Sequence, residues 1–201
     1  MTYGQCRDFI LKLINQYSVA GTNVDPSYNN QQDYLNRIPQ IINDAMVEIS
    51  TTVKKIPVTL NLTTLEGEDL GKSVRYELPE NFYQFRSGDI VKTDDGRVLH
   101  TNYYTIYGKK YLVIPKKEVD DYSLTYYRYP MLLDENPDED DELDNVIEVH
   151  HAIPYYVASM IVSYDDSFLC SLFANKYNDK LQLMHEGISA EVHPIVDAYS
   201  F

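Results

Sequence analysis

The side chains that could do chemistry in this sequence are a few histidines, cysteines and paired carboxylates, and their spacing fits no common catalytic motif. His150 and His151 are adjacent, so on a helix they would point about 100° apart and could not hold one metal ion together. Asp165 and Asp166 stand between two apolar helical runs, where a capping role is expected. No glycine-rich phosphate loop, G-x-S-x-G elbow or H-E-x-x-H pair occurs. We therefore expect no enzymatic activity, no catalytic residue, no cofactor and no bound metal ion.

The strongest local charge pattern is an acidic stretch at residues 134–144, in which eight of eleven side chains are carboxylates. Mutual repulsion and a proline predict a solvated loop here. A calcium-binding loop is the more specific alternative, but the stretch lacks the glycine and the 1-3-5 ligand spacing of an EF-hand. The carboxylates of this acidic segment are Asp134, Glu135, Asp138, Glu139, Asp140, Asp141, Glu142 and Asp144.

The overall composition limits the partners of the chain. Its 201 residues carry a formal net charge of −14, which opposes tight binding of a nucleic-acid backbone but allows DNA to pass nearby without specific contact. Cys6 and Cys170 imply no disulfide framework, so folding in a reducing compartment is expected. No signal-peptide pattern and no apolar run of about 20 residues occurs, so we expect no membrane partner.

The elements that must position these residues follow from the apolar periodicity. Helical spacing predicts one helix at residues 4–18 and a second at about residues 33–53, which Asp33 could cap and Pro39 could kink. From residue 56 to residue 129 the period changes to two, which predicts five to seven short antiparallel strands. Helical spacing then returns at residues 146–164 and 168–184, with Gly187 as a C-terminal cap.

This order predicts an α+β fold in which helices from both chain ends form a four-helix bundle-like core. A small antiparallel β-sheet or sandwich is inserted between them, and an extended C-terminal tail follows. The expected boundaries are 1–55 for the N-terminal helices, 56–130 for the β-rich insertion, 131–145 for the acidic loop, 146–187 for the C-terminal helices and 188–201 for the tail.

The pattern resembles a known family at several points along the chain. Residues 33–38 (DYLNRI) and 42–45 (INDA), after an opening helix, look like the start of tailed-phage head-to-tail adaptor, or connector, proteins. Residues 76–83 (YELPENFY) are similar to the leucine-proline-aromatic turn in the β-insertions of such adaptors. Their C-terminal helical core is similar to residues 151–159 (HAIPYYVAS), the pair Asp165 and Asp166, and residues 173–177 (FANKY).

The resemblance implies a structural virion protein of the neck, made in the host cytoplasm. Such adaptors form a ring, commonly twelve-fold, below the portal protein, where the ring extends the DNA channel and presents a platform to the tail or to a stopper protein. Their partners are therefore portal, neighbouring copies and a tail-side protein. In these relatives the C-terminal segment embraces the portal, which here would involve the apolar residues Ile188, Val192, Ile195, Val196, Tyr199 and Phe201. A frayed terminus is the alternative for this segment.

Two other functions remain open from the sequence. A stopper or tail-completion protein would keep the virion role, although a mostly β chain would suit it better. A glycan-binding or protein-binding module would instead use exposed tyrosines along one groove of the sheet, because tyrosine is abundant there. The tyrosines concerned are Tyr103, Tyr104, Tyr107, Tyr111, Tyr126, Tyr127 and Tyr129.

Overall fold

A computed structural model of the chain describes residues 1–15, 29–62, 67–92, 103–115 and 122–188. Within these ranges the chain contains four α-helices and seven strands in small antiparallel sheets, which confirms the mixed α+β class. The chain divides into two compact units. Unit 1 comprises Met1–Ile49 and Leu132–Phe201, and unit 2 comprises Ser50–Met131.

Unit 1 is built from helices that come from both ends of the chain. The helices are α1 (Tyr3–Asn15), α2 (Asn29–Thr52, whose last turn enters unit 2), α3 (Ile153–Val162) and α4 (Ser167–Ile188), with a 3-10 turn at Ile147–Val149. On α1, the buried residues Cys6, Ile10 and Leu13 recur at the spacing of one helical face. Buried residues recur at the same spacing on one face of α2, namely Ile38, Ile42, Ala45, Met46 and Ile49.

Helices α1, α3 and α4 pack on one another through a small apolar cluster. Leu13 of α1 meets Ala158 and Val162 of α3 and Phe173 of α4, and all four side chains are buried. Phe9 and Tyr155 add an edge-to-face ring contact beside this cluster, with centroids 5.7 Å apart. Burial of these side chains holds α1 to the C-terminal helices, although they lie far apart in sequence.

Helix α2 is joined to the C-terminal half of unit 1 by hydrogen bonds. The Asn43 side chain bonds both backbone groups of Leu133, donating to the oxygen at 2.9 Å and accepting from the nitrogen at 2.8 Å. Asn145 donates to the Met46 oxygen at 3.2 Å, and Tyr177 of α4 donates to the Glu48 carboxylate at 3.2 Å. A buried amide that satisfies two backbone groups is costly to replace, because both groups would lose their partners.

Unit 2 contains two antiparallel sheets. One has the strand order β1-β7-β4 and the other has the order β2-β3-β6-β5. The strands are β1 (Ile56–Asn61), β2 (Gly67–Asp69), β3 (Ser73–Glu77), β4 (Phe82–Lys92), β5 (Tyr103–Ile106), β6 (Lys109–Pro115) and β7 (Tyr122–Arg128). The register along β1 and β7 is continuous from Ile56 opposite Arg128 to Asn61 opposite Ser123.

Both sheets contribute to one apolar core in unit 2. Phe82 and Leu124 come from the first sheet, and Tyr76, Leu112 and Ile114 come from the second. The Phe82 ring lies 4.9 Å from the Tyr103 ring, which joins β4 to β5. The inward side chains alternate along β6 and β7, as expected for sheets with one buried face.

Several predicted helix boundaries are wrong. The expected single helix at residues 146–164 is a 3-10 turn followed by α3, because Pro154 favours the first turn of a new helix over the middle of a long one. Asp33 lies inside α2 rather than at its start. Helix α4 continues past Gly187 to Ile188, so this glycine does not end it. The alternating pattern also predicts a short strand at residues 98–100, which lies outside the described residues.

Candidate assembly surfaces

The acidic segment is attached to the start of α1 through backbone hydrogen bonds. The Tyr3 nitrogen donates to the Asp141 oxygen at 2.7 Å, and the Gly4 nitrogen donates to the Glu139 oxygen at 3.0 Å. In the opposite direction, the Leu143 nitrogen donates to the Met1 oxygen at 3.1 Å. The first N–H groups of a helix lack partners within the helix, so carbonyl groups of the acidic segment satisfy them here.

The backbone approach at Gly4 is close. A Cβ atom at this position would lie 3.0 Å from the Glu139 oxygen and 3.2 Å from the Glu139 Cβ. The Arg7 guanidinium reaches the Glu139 carboxylate at 2.9 Å, which adds a charged contact to the same junction. Carboxylates are also favoured near the positive end of the α1 dipole. This combination explains how a segment with eight carboxylates keeps one place on the surface.

Backbone hydrogen bonds thus hold the acidic segment against α1, and the carboxylate groups of the segment face solvent. Seven of the eight side chains are exposed and Asp144 is half-buried. Leu143 is the buried anchor of the segment. Within the described residues, no group of three or more histidine, cysteine, aspartate or glutamate side chains could hold a metal ion.

A polar cleft of about 370 Å³ lies beside the start of the acidic segment. Pro39 and Leu133 give it apolar surface, and Asp134 and Glu135 give it charge. Carboxamides supply the remaining lining, from Asn36, Gln40, Asn43 and Asn136. The Asn43 amide already bonds the Leu133 backbone, so it holds this wall in place.

The turn between α3 and α4 exposes three apolar side chains together with a carboxylate. We call Met160, Tyr164, Asp165 and Phe168 the α3–α4 corner. Tyr164 is 88% exposed and Phe168 is 73% exposed, although helical spacing predicted both in the apolar stripes of their helices. For Tyr164 the cause is local, because α3 ends at Val162 and Tyr164 lies in the turn that follows.

Charged groups of α2 border the α3–α4 corner. A small cleft of about 190 Å³ is lined by Tyr34, Arg37 and Ile161 with Tyr164 and Asp165, and Asp33 closes it. The Tyr34 hydroxyl donates to the Asp165 carboxylate at 2.8 Å. This hydrogen bond to a carboxylate raises the pKa of Tyr34, with burial as the second cause. The cleft therefore combines aromatic walls with carboxylate oxygens.

The capping role predicted for the two adjacent aspartates belongs to Asp166. Its Oδ1 accepts hydrogen bonds from the Phe168 and Leu169 nitrogens at 2.9 and 3.0 Å. These are the second and third residues of α4, the positions that an N-cap side chain serves. Asp165 instead accepts the Tyr34 hydroxyl.

The turn between β5 and β6 carries an aromatic side chain at its tip. Tyr107 and Gly108 have φ angles of +48° and +81°, the pattern of the two-residue turn that suits a twisted hairpin. A non-glycine residue with positive φ is uncommon, and Tyr107 is also fully exposed. Lys109 follows in β6, where its amine pairs with Glu77. We call Tyr107, Gly108 and Lys109 the hairpin tip. The sequence predicts a strand at residues 103–107 and a turn at residues 108–110, but this is wrong at both ends, because Tyr107 lies in the turn and Lys109 in β6.

The buried ionisable groups of unit 1 lie away from the two clefts. Burial raises the pKa of the Cys6 thiol to about 12. Burial also lowers the pKa of His150, whose Nδ1 lies 2.9 Å from the Met1 nitrogen and whose Nε2 lies 3.1 Å from the Asn145 oxygen. Burial, with Glu48 nearby, raises the pKa of Tyr177. A protonated thiol and a neutral imidazole suit packing roles in this core.

The tyrosines whose side chains the structure describes are spread over both sheets and over both faces of β7. Tyr126 and Tyr127 are consecutive on β7, so they point to opposite faces, and Tyr126 is buried. Tyr103 and Tyr111 belong to the other sheet. Tyr129 pairs with the ring of Tyr83 at 5.0 Å. This distribution does not match the single tyrosine groove that a binding module would use.

The residues predicted to form a docking tail fall at the end of the described part. Ile188 is the last residue of α4. The others lie outside the described residues, namely Val192, Ile195, Val196, Tyr199 and Phe201.

Sequence reasoning missed the α3–α4 corner and the hairpin tip. The turn-forming run at residues 163–167 (SYDDS) was the available signal for the corner.

Comparison with known proteins gives one match that covers almost the whole chain. The sequence model of a family described as SU10 adaptor protein matches residues 1–193. No curated protein matches the chain. Among the described residues, no helix has both the length and the apolar character that crossing a bilayer requires.

Proposed function

Since the chain belongs to the SU10 adaptor protein family, a phage head-to-tail adaptor family, we propose that it forms a ring below the portal that extends the DNA channel and joins capsid to tail. Membership makes it a phage adaptor protein and a structural component of the virion, which associates with other capsid and tail proteins. The ring, its twelve-fold symmetry and its portal seat belong to the proposal. The family match over residues 1–193 is the observation that carries it.

The distribution of charge supports an assembly with unlike surfaces. Unit 1 holds 20 of the 31 carboxylates but five of the 17 lysines and arginines, which gives it a net charge of −15. Unit 2 holds the other 11 carboxylates and 12 basic residues, which gives +1. A ring requires a surface on each copy that complements a different surface on the next, and unequal charge favours such pairing over symmetric dimers.

We assign the helices to the wall of the ring, packed as one bundle. The cluster around Leu13 and Phe173 ties α1 to α3 and α4, and the Tyr177–Glu48 hydrogen bond supports placing α2 with them. An acidic wall would repel phosphate, so DNA would pass without being held. This property suits a passive channel.

Residues 188–201 remain our proposed portal-docking segment. Ile188, Val192, Ile195, Val196, Tyr199 and Phe201 would contribute apolar surface to the portal. If this segment becomes ordered only when it binds the portal, its apolar side chains are buried only in the complex. A chain that lacks residues 188–201 loses only the last residue of α4, and we expect it to fold and to fail to join portal particles.

Disruption of the gene during infection tests the function most directly. An adaptor that joins head to tail is required after packaging, so we expect DNA-filled heads that lose DNA and carry no tail. Addition of the purified chain to these heads should restore tail joining. The chain that lacks residues 188–201 is the matched control. Tailed, infectious particles made without the chain would overturn the proposal.

A further inference from the structure

We propose that neighbouring copies in the ring contact each other by placing the hairpin tip of one copy on the α3–α4 corner of the next. The contact rests on the proposed ring and goes beyond it by naming the two surfaces. Of the large apolar side chains in the described residues, Tyr107 and Tyr164 are the most exposed, and one lies in each unit. A head-to-tail contact needs such a pair of different surfaces.

The α3–α4 corner has the composition of an acceptor surface. Tyr164 and Phe168 expose aromatic rings, and Met160, at 45% exposure, adds an adaptable side chain one helical turn before Tyr164. The neighbouring cleft contributes the ring of Tyr34 and the carboxylate of Asp165. Arg37 also lines this cleft, and its guanidinium lies 3.8 Å from the Asp33 carboxylate, so Asp165 remains the carboxylate available to a lysine. Aromatic surface beside carboxylate oxygens is the environment that a tyrosine ring and a lysine amine would occupy together.

The hairpin tip has the complementary composition. Tyr107 is held away from its own sheet by a backbone with positive φ, which costs free energy for a side chain of this size. Lys109 stands two residues later, and its side chain is 59% exposed even with Glu77 as its partner. The tight turn fixes the tip, so little conformational entropy would be lost when it docks.

The charges of the two candidate segments favour the hairpin tip over the C-terminal tail as the partner of the α3–α4 corner. Residues 189–201 contain no lysine or arginine and carry Glu191 and Asp197, so Asp165 of the corner and the adjacent Asp166 would repel them. Unit 2 holds 12 of the 17 basic residues of the chain. Because unit 2 also holds 11 carboxylates, its net charge is +1, so the acidic corner would not repel it as it would repel the tail.

Alanine substitutions measure the contact in the assembled protein. Tyr107→Ala and Tyr164→Ala should each raise the concentration needed for half-maximal ring assembly on portal particles by about thirtyfold, the loss typical of an aromatic hot spot. Both side chains are exposed, so the melting temperature should stay within about 2 °C of that of the natural chain. Ile147→Ala removes another exposed apolar side chain of unit 1 and should leave assembly unchanged.

A charge exchange tests the pairing itself. Lys109→Glu should weaken assembly, and adding Asp165→Lys to the same chain should restore part of it. Recovery in the double variant identifies the two positions as neighbours, because a merely destabilised chain would not be rescued by a second change. Equal or worse assembly in the double variant would contradict the pairing.

Cross-linking gives the decisive readout. Tyr107→Cys and Tyr164→Cys are prepared separately, mixed, assembled on portal particles and treated with a short thiol cross-linker. Covalent dimers should form in the mixture and should exceed those in either variant alone, which controls for the native Cys170. If rings form and the mixture shows no excess of covalent dimers, the proposed contact is wrong and the proposed adaptor function is unaffected. A natural chain that assembles on no portal particle would overturn the adaptor function and the contact together.

Discussion

At the scale of single residues, Gly4 is the position where the backbone of the acidic segment leaves no free space beside α1. Gly4→Ala would place a Cβ atom 3.0 Å from the Glu139 oxygen, so the Glu139 backbone would have to shift by a few tenths of an ångström. We expect a loss of about 1–3 kcal/mol in the free energy of unfolding, the usual cost of overpacking. Denaturant unfolding measures it.

Lys12→Ala on the same helix is the matched control for Gly4→Ala. Lys12 is exposed, and alanine is the better helix former, so stability should change by about 0.5 kcal/mol or less. If both variants are as stable as the natural chain, the Glu139 backbone does not lie as close to Gly4 as the structure shows.

His150 should make unit 1 sensitive to mild acid. Burial, and then the Met1 amino group, lower the pKa of His150 below its ordinary value of 6.5, so the unfolded chain binds the proton more readily than the folded one. The stability that the neutral imidazole contributes is complete above pH 6.5 and is lost as pH falls through and below that value.

Unfolding of the natural chain and of His150→Gln at pH 7.5 and pH 5.5 tests this dependence. The natural chain should lose more stability between the two conditions than the variant does. Other groups titrate in both proteins, so the difference between them isolates His150. Equal losses in the two proteins would contradict the inference.

At the scale of elements, the start of α4 depends on one capping side chain. Asp166→Ala removes the acceptor for the Phe168 and Leu169 nitrogens and should cost about 0.5–2 kcal/mol of stability. Asp166→Asn keeps an acceptor at the same position and should recover most of this loss. Thermal unfolding compares the three chains. An alanine variant as stable as the asparagine variant would show that the cap contributes nothing.

The acidic segment should be held by its backbone and by Leu143 rather than by its exposed charges. Replacing Asp134, Glu135, Asp140 and Glu142 with their amides should shift the melting temperature by about 2 °C or less. Leu143→Ala, at a buried position, should cost about 2–4 kcal/mol. A large loss on neutralising the carboxylates would instead indicate a bound cation or a charged interface.

The sequence predicted element types better than it predicted contacts between them. Alternation along residues 58–62 and 123–129, and helical spacing at both chain ends, identified the strands and helices because periodicity reports burial directly. Apolar residues at 146, 149, 153 and 157 keep a helical period across a break, so they concealed the 3-10 turn. The bonds from Tyr3 and Gly4 to the acidic segment use backbone carbonyls, which leave no pattern in a sequence.

At the scale of the whole molecule, the uneven charge of the two units accounts for how one chain could remain single in solution and still assemble. A net charge of −14 makes identical copies repel one another at long range. The near-neutral unit 2 offers a surface that the acidic unit 1 does not repel. A portal that gathers copies would supply the concentration needed to overcome the repulsion.

The mass of the purified chain, alone and on portal particles from the same phage, tests the central claim most directly. We expect a monomer of 23.3 kDa in solution and a fixed multiple, twelve copies, on each portal particle. Portal particles whose mass is unchanged after mixing, or that take up the chain in no fixed ratio, would contradict it.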